Sequence, residues 1–451
     1  MKYMIIAAAL IFAVSAEAQN TYSLEQCCRM ALQNNIKMKT GRIDLQSAEQ
    51  QQKDAKAAYL PTVSAGATYF HGLDYMVKEK ISMSAEQQQQ VAGIITQMGL
   101  DPTVLAALPA DYKLEMLKHG TMVNLMAMEP VYAGGRITTG NKLAKLQTDV
   151  KKLMLEQSED DIIQTTEKYY NQLLSLYSKK KTIEAAEEQL KSIRKDADNA
   201  YNAGVAYKND VLTVELKQNE LEANKLRLEN GIRLSRRVLS QYIGMEEDIN
   251  IDTTVITSLT ADIPLPQTYA VDHDAALNNR VEAQLLDKSV EAQQLQTKLK
   301  RGELLPTLAV GATAFYHDMA SSGTTNLVGL ATLSIPISDW WSNSGVKRQK
   351  MEVRKAEEER ENNRQLLKIQ MQSAYDNLDN AYKMVQIAKK SITQSEENLR
   401  LNRDYYQAGT SAMSDLLDAQ TKNQQAKDQM TDALIEYLNC KTAYLMATGR
   451  L

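Results

Sequence analysis

Cysteine, proline and bulky aromatics are all scarce in this chain of 451 residues. The three cysteines, Cys27, Cys28 and Cys440, are too few for a disulfide scaffold. Two readings of them stay open: buried free thiols, or one bridge from Cys27 or Cys28 to Cys440. "TYSLEQ" separates Cys27 from the apolar N-terminal stretch, which argues against a lipid anchor. With only 3 phenylalanines and 2 tryptophans, the composition suits long helices packed side by side better than a compact globule. A net charge of −4 leaves no basic surplus for a nucleic-acid partner. His71, His119, His273 and His317 lack metal-ligand spacing, and no phosphate loop, nucleophile elbow or paired-cysteine motif occurs. No enzyme, cofactor or resident metal is therefore expected.

Long apolar runs are missing as well. "MKYMIIAAALIFAVSAEAQ" has a basic start, a short apolar core and a small-x-small site at Ala16 and Ala18. It reads as a signal peptide over 1–18, so the chain is expected to be exported. No later segment reaches the ~18 consecutive apolar residues of a transmembrane helix. Proline is absent between Pro130 and Pro264 and again after Pro336. Because proline breaks helices, each run is free to be almost wholly helical. A helix from Ile137 to Asn202 would extend roughly 100 Å at the usual rise per residue. Ala419, Ala426, Ala433, Cys440 and Ala447 recur every seventh position. That period predicts coiled-coil packing with close helix approach, and makes Cys440 one more small seam residue.

What the chain does have is the same pattern twice. "YNAGVAYKNDVL" at Tyr201 returns as "YQAGTSAMSDLL" at Tyr406. "YLPTVSAGATYF" at Tyr59 returns as "LLPTLAVGATAF" at Leu304, and "MEPVYAGGR" is echoed by "SIPISDWWS". The organisation expected is a first repeat over 19–244, a linker over 245–270 and a second repeat over 271–451. Each repeat would hold a helix, two strands and a long helical hairpin. The strands are expected near 61–73, 120–130, 305–317 and 324–337. Val63, Ala65, Ala67 and Tyr69 alternate with Thr62, Ser64, Gly66 and Thr68, as in a barrel strand or a half-buried soluble strand. Strands of about ten residues span a bilayer when tilted. Four cannot close alone, and open edges do not survive in lipid. Two chains would give a filled barrel and three an open lumen, and the trimer is favoured. Between its strands the first repeat carries extra residues, about Asp74 to Gly120. Val91, Ile94, Ile95 and Met98 lie there at helical spacing, so a short helical hairpin on the outer side is expected.

These residues resemble the TolC-like outer-membrane efflux protein family. The carriers are "SLEQCCRMALQNN" at Ser23–Asn35, both Leu-Pro strand starts, "VYAGGR" at Val131–Arg136 and "YQAGTSAMSDLLDAQ" at Tyr406–Gln420. The resemblance implies a mainly α fold with a small membrane β-barrel: two tandem repeats of long coiled-coil helices plus four strands per chain. In a homotrimer these would form a twelve-stranded barrel in outer-membrane lipid and a helical barrel in the periplasm. The implied role is the exit duct of a tripartite efflux or secretion system. A periplasmic adaptor would open it at its tip and link it to an inner-membrane pump. Asp415 and Asp418 match the family's pore constriction, Asp210 and Tyr406 a pair that holds the closed state, and Gly204 and Gly409 the tip turns. Ser411 departs from the family pattern, where a second lock would need an arginine. The plainer reading of Asp210 and Asp415 is helix capping. The rival reading of the whole chain is an exported periplasmic coiled-coil scaffold without a pore.

Overall fold

The computed structural model describes residues 21–99, 101, 111–116, 118–254, 263–318, 323–342 and 344–451. The expected signal peptide lies outside the described residues, as does part of the linker, 255–262. In chain order the elements are β1 (Thr21–Tyr22), α1 (Leu24–Asn34), α2 (Ile36–Ala57), β2 (Thr62–His71), β3 (Val77–Ser82), α3 (Ala85–Gln97), β4 (Asp111–Met116) and β5 (His119–Ala133). Then follow α4 (Arg136–Asn202), α5 (Lys208–Ile243), β6 (Asn250–Ile251), α6 (His273–Leu277) and α7 (Val281–Gly302). The chain ends with β7 (Thr307–Asp318), β8 (Thr324–Ser334), α8 (Ile337–Ser342), α9 (Ser344–Gln407) and α10 (Met413–Ala447). They fall into a helical unit (Met1–Glu49, Leu146–Ala292, Val353–Leu451) and a sheet-bearing unit (Gln50–Lys145, Gln293–Glu352). Among the described residues, no helix is long and apolar enough to cross a membrane.

The helical unit is built from pairs of long helices with separate cores. Ser23 caps α1 through a reciprocal pair with Gln26, which closes orphan amides at the helix start. α1 then buries Cys27 and Ala31 against Tyr170, Leu173 and Leu174 of α4 and Leu239 and Ile243 of α5. α9 and α10 share a second core of Leu378, Val385, Met430, Leu434, Tyr437 and Tyr444. Each fully buried side chain of this kind contributes roughly 1.5–3 kcal/mol. Ala433 and Cys440 pack at the edge of that core, while Ala419, Ala426 and Ala447 are buried. α4 meets α10 differently, along polar contacts. Asn171 Nδ2 donates to Asn439 Oδ1 at 2.9 Å, and the Ser178 and Thr431 hydroxyls lie 2.9 Å apart. All three cysteines are free thiols, and burial pushes the Cys27 thiol up to about 12 and Cys440 to about 11.

The sheet-bearing unit holds one antiparallel sheet in the order β2-β5-β7-β8. One chain thus supplies an open sheet, with β2 and β8 as its edges, and not a closed barrel. A register shift on β5 falls between Pro130 and Tyr132, where proline has no amide to give the ladder. Pairing sorts the side chains onto two faces. Val63, Ala65 and Ala67 of β2 pair with Ala127, Leu125 and Val123 of β5. Ala127 and Leu125 in turn pair with Ala312 and Ala314 of β7. This face is apolar. The other is mixed: Ser64, Thr68, Asn124, Thr313 and Asn326 share it with Phe70, Phe315, Val328 and Leu330.

The excursion between β2 and β5 keeps the first arm of the expected helical hairpin and corrects the end of the second, which is a strand. Its first arm is helix α3, capped by Ser84 with Gln87. Its second arm includes a strand: β4 pairs antiparallel with β3, from Val77↔Met116 to Ser82↔Asp111. "DYKLEM" alternates in polarity with period two, and a strand ladder satisfies backbone groups that a short isolated helix would leave at its ends. Residues 102–110 of this arm lie outside the described residues.

Candidate functional site: the two helical turns

Two turns join the long helices, and their backbones match. After α4, Gly204 takes a φ of 76°, with Val205 N–H donating to Ala200 O at 3.0 Å and Gly204 N–H to Tyr201 O at 2.9 Å. After α9, Gly409 takes a φ of 72°, with Thr410 N–H donating to Tyr405 O at 2.9 Å and Gly409 N–H to Tyr406 O at 3.0 Å. This is the left-handed helix stop that glycine adopts without a Cβ penalty. The turns are buttressed by one apolar cluster. It takes Ile193 and Ala197 from α4, Val211 and Val214 from α5, and Met413, Leu416 and Leu417 from α10, with Tyr406 packed against it.

The four polar residues singled out by sequence are all engaged within one chain. Asp210 Oδ2 accepts the Tyr207 amide at 3.3 Å and so caps α5. Asp415 Oδ2 accepts the Ala412 amide at 3.3 Å and the Ser411 hydroxyl at 3.0 Å, capping α10. Ser411, where an arginine lock is absent, therefore serves the same cap. Asp418 pairs with Lys422 at 2.6 Å, one turn along α10. Asp415 and Asp418 are both exposed, so these pairs are weakly held. Tyr406 is half-buried. Burial, then the carboxylates of Asp210 and Asp196, raise its phenol above the usual value. The structure thus brings Tyr406 and Asp210 into one electrostatic neighbourhood, while the Asp210 carboxylate is hydrogen-bonded to its own helix.

A contact that sequence reasoning missed lies beside them. Arg403 of α9 donates to the Ser192 hydroxyl of α4 at 3.1 Å and stands 3.8 Å from Asp196. It ties the two long descending helices together just before their turns. The partners are 211 residues apart in sequence, and nothing local marks them as a pair.

A model of the outer membrane efflux protein family matches residues 273–449. Outer membrane protein TolC of Escherichia coli (strain K12) is 21% identical over 460 residues, spanning 96% of this chain and 83% of its own length. Among solved structures, the outer-membrane channel OprN superposes with a TM-score of 0.72 at 16% identity, over 94% of this chain and 89% of its own. The outer membrane protein VceC of Vibrio cholerae gives 0.70 at 14% identity, over 94% and 96%. At such identities the structural likeness is one of fold; the family model and the TolC relative carry the sequence kinship. Together they make this chain similar to the TolC-like outer-membrane efflux proteins, by sequence to TolC along most of its length and to the efflux-protein family model over 273–449.

Proposed function

We propose that three copies of this chain form an outer-membrane channel whose helices extend into the periplasm, the exit duct of a tripartite efflux or secretion system. The observation that carries this reading is the open four-stranded sheet with an apolar face and two unpaired edges. Unpaired edges are untenable in lipid, and closure of twelve strands removes them. Exposed apolar stripes on the helices support the same assembly. Leu216 on α5 is 69% exposed and Ile369 on α9 is 64% exposed in the single chain. Contiguous surfaces of this kind mark partner interfaces.

In the trimer, six carboxylates from Asp415 and Asp418 would ring the narrow periplasmic end and attract cations. Tyr406 and Asp210 would help hold the closed state, and an adaptor bound to an inner-membrane pump would engage the tips at Gly204 and Gly409. No catalytic step is involved. The test is the purified protein in planar bilayers. The expected result is a cation-selective pore whose selectivity weakens in the Asp415→Ala/Asp418→Ala double variant. Recovery of the chain as a soluble protein without pore activity would overturn the channel; unchanged selectivity would move the ring elsewhere.

A further inference from the structure

Spacing along the chain joins none of the four histidines, but strand pairing joins two of them. His71 ends β2 and His119 begins β5, and the two stand directly opposite as the last rung of that ladder. One step further out, Gly72 N–H donates to Lys118 O at 2.7 Å. That makes the step at Gly72 and Lys118 a hydrogen-bonded pair and the histidine rung a non-hydrogen-bonded one, in which Cα atoms approach to about 4.5 Å and side chains are closest. Both imidazoles lie on one face of the sheet. Their ring centroids are 6.2 Å apart, with the planes tilted by 58°.

The other two histidines are engaged elsewhere. His317 stacks on Phe315 with centroids 6.0 Å apart, on the opposite face of the sheet. His273 Nε2 lies 3.3 Å from the Tyr444 hydroxyl. His71 and His119 are both exposed and meet each other. A single exposed histidine would be ordinary surface cover. Two directly opposed ones repel when both are charged, whereas a shared metal turns the same closeness into binding. Zinc bonds an imidazole nitrogen at about 2.0–2.1 Å, so two imidazoles at the tetrahedral angle hold their ring centroids about 5 Å apart. The observed pair is wider by about 1 Å, a gap that small rotations of two exposed side chains within their rotamer wells close. Asp318 pairs with Thr121, the next residue on the same face of β5, and adds a carboxylate that draws cations to this corner. Among the described residues, no group of three or more His, Cys, Asp or Glu side chains is arranged to hold a metal ion. The histidine rung is therefore an open, two-ligand site whose remaining positions fall to water.

We propose that His71 and His119 chelate a divalent transition metal, Zn(II) or the other imidazole-binding ions Ni(II) and Cu(II), and so clip β2 to β5 where the two strands leave the sheet for the excursion. Imidazole suits these ions, whereas Mg(II) and Ca(II) prefer oxygen ligands. The binding rests on strand pairing alone. Only the placement of this rung at the outer mouth of a channel rests on the channel reading.

The test is zinc titration of the purified full chain, with affinity read by calorimetry and location by amide hydrogen exchange. Zinc is expected to slow exchange in the peptides that hold Phe70–Gly72 and Lys118–Gly120, and a chelator should reverse this. Mg(II) should have no effect. His71→Ala and His119→Ala should each weaken that binding by about tenfold or more, because the second imidazole binds a metal already held by the first. Both side chains are exposed, so the variants keep their helix content by circular dichroism. His317→Ala should bind zinc as the unaltered chain does. Zinc also binds thiolates, and the localised exchange separates the rung from Cys27, Cys28 and Cys440. Binding unchanged in both single variants, or exchange slowed elsewhere and not at this rung, would overturn the proposal. Loss in only one of the two variants would mean adventitious binding to a single imidazole and would overturn it as well. Membrane fractionation reports separately on the channel reading: a soluble chain that still bound zinc here would sink the channel and leave the site standing.

Discussion

The α4–α5 turn and the α9–α10 turn close with the same two hydrogen bonds at a left-handed glycine, but the helices entering them are covered differently. α4 buries Leu173, Leu174 and Tyr170 under α1 and α5 and carries polar links to α10. α9 buries Leu378 and Val385 against α10, yet leaves Ile369, Met384 and Ile387 on its surface. The difference separates two causes. A turn obeys short-range chemistry, a glycine where φ must be positive and a capping carboxylate where amides are orphaned. Coverage of a helix depends on which other elements reach it. In the second half, the apolar stripe of α9 is left uncovered by the rest of the chain.

The strongest way to break this comparison is to strike a covered and an uncovered position in parallel. Leu239→Ala and Leu378→Ala should each cost about 2–5 kcal/mol and lower the thermal unfolding midpoint of the purified protein. Ile369→Asp with Ile387→Asp should instead leave helix content intact and abolish the trimer in native mass spectrometry. A trimer that survives both charges would show that the α9 stripe is not an interface. The turns themselves should respond alike. Gly204→Ala and Gly409→Ala each force a Cβ into the left-handed region and should cost about 1–2 kcal/mol. Unequal losses in thermal unfolding would mean that the shared apolar cluster supports one turn more than the other.

A smaller effect comes from the polar seam between α4 and α10. Burial, opposed by Lys179 and reinforced by Asp432, pushes the Asp428 carboxyl up to about 6, and its Oδ1 has no hydrogen-bond partner. The folded chain therefore binds a proton that the unfolded chain, with an ordinary aspartate near pH 4, does not. Stability should rise as pH falls through about 6 and be lost as it climbs back. Because the side chain is only partly buried, Asp428→Asn should stabilise the protein by about 1 kcal/mol at pH 7.5 and flatten this slope. Asp160, raised to about 6 mainly by burial and then by Glu156, would supply the remainder. An unchanged slope in Asp428→Asn would remove Asp428 as its source. The smallest effect belongs to the excursion. Ser84→Ala should cost about 1 kcal/mol, seen as faster amide exchange in α3 and nowhere else.

The helical character was legible because proline is missing from two long stretches and a seven-residue period runs through Ala419, Ala426 and Ala447, all buried. The chemistry of the turns was legible for a similar reason: Gly409 and Asp415 act within four or five residues of themselves. The helix of the excursion was legible from Val91, Ile94 and Met98 at helical spacing, but the strand at Asp111–Met116 was missed because its pairing with Val77–Ser82 is a relation between segments about 30 residues apart. A local period cannot report a distant partner. Arg403 escaped notice on the same ground, since Ser192 and Asp196 mean nothing to it until α4 and α9 lie side by side.

By itself, then, the sequence determined what is local or periodic: long helices, glycine stops, caps, and strands with one apolar face. Backbone sterics and the period of the side chains act over a few residues, so a reader of the chain can apply them directly. Tertiary structure alone decided which strands are neighbours, that β5 lies between β2 and β7, and that one carboxylate oxygen of Asp428, Oδ1, is buried without a hydrogen-bond partner. Those outcomes follow from the packing of segments hundreds of residues apart, where hydrophobic burial and desolvation act on neighbours in space and not along the chain.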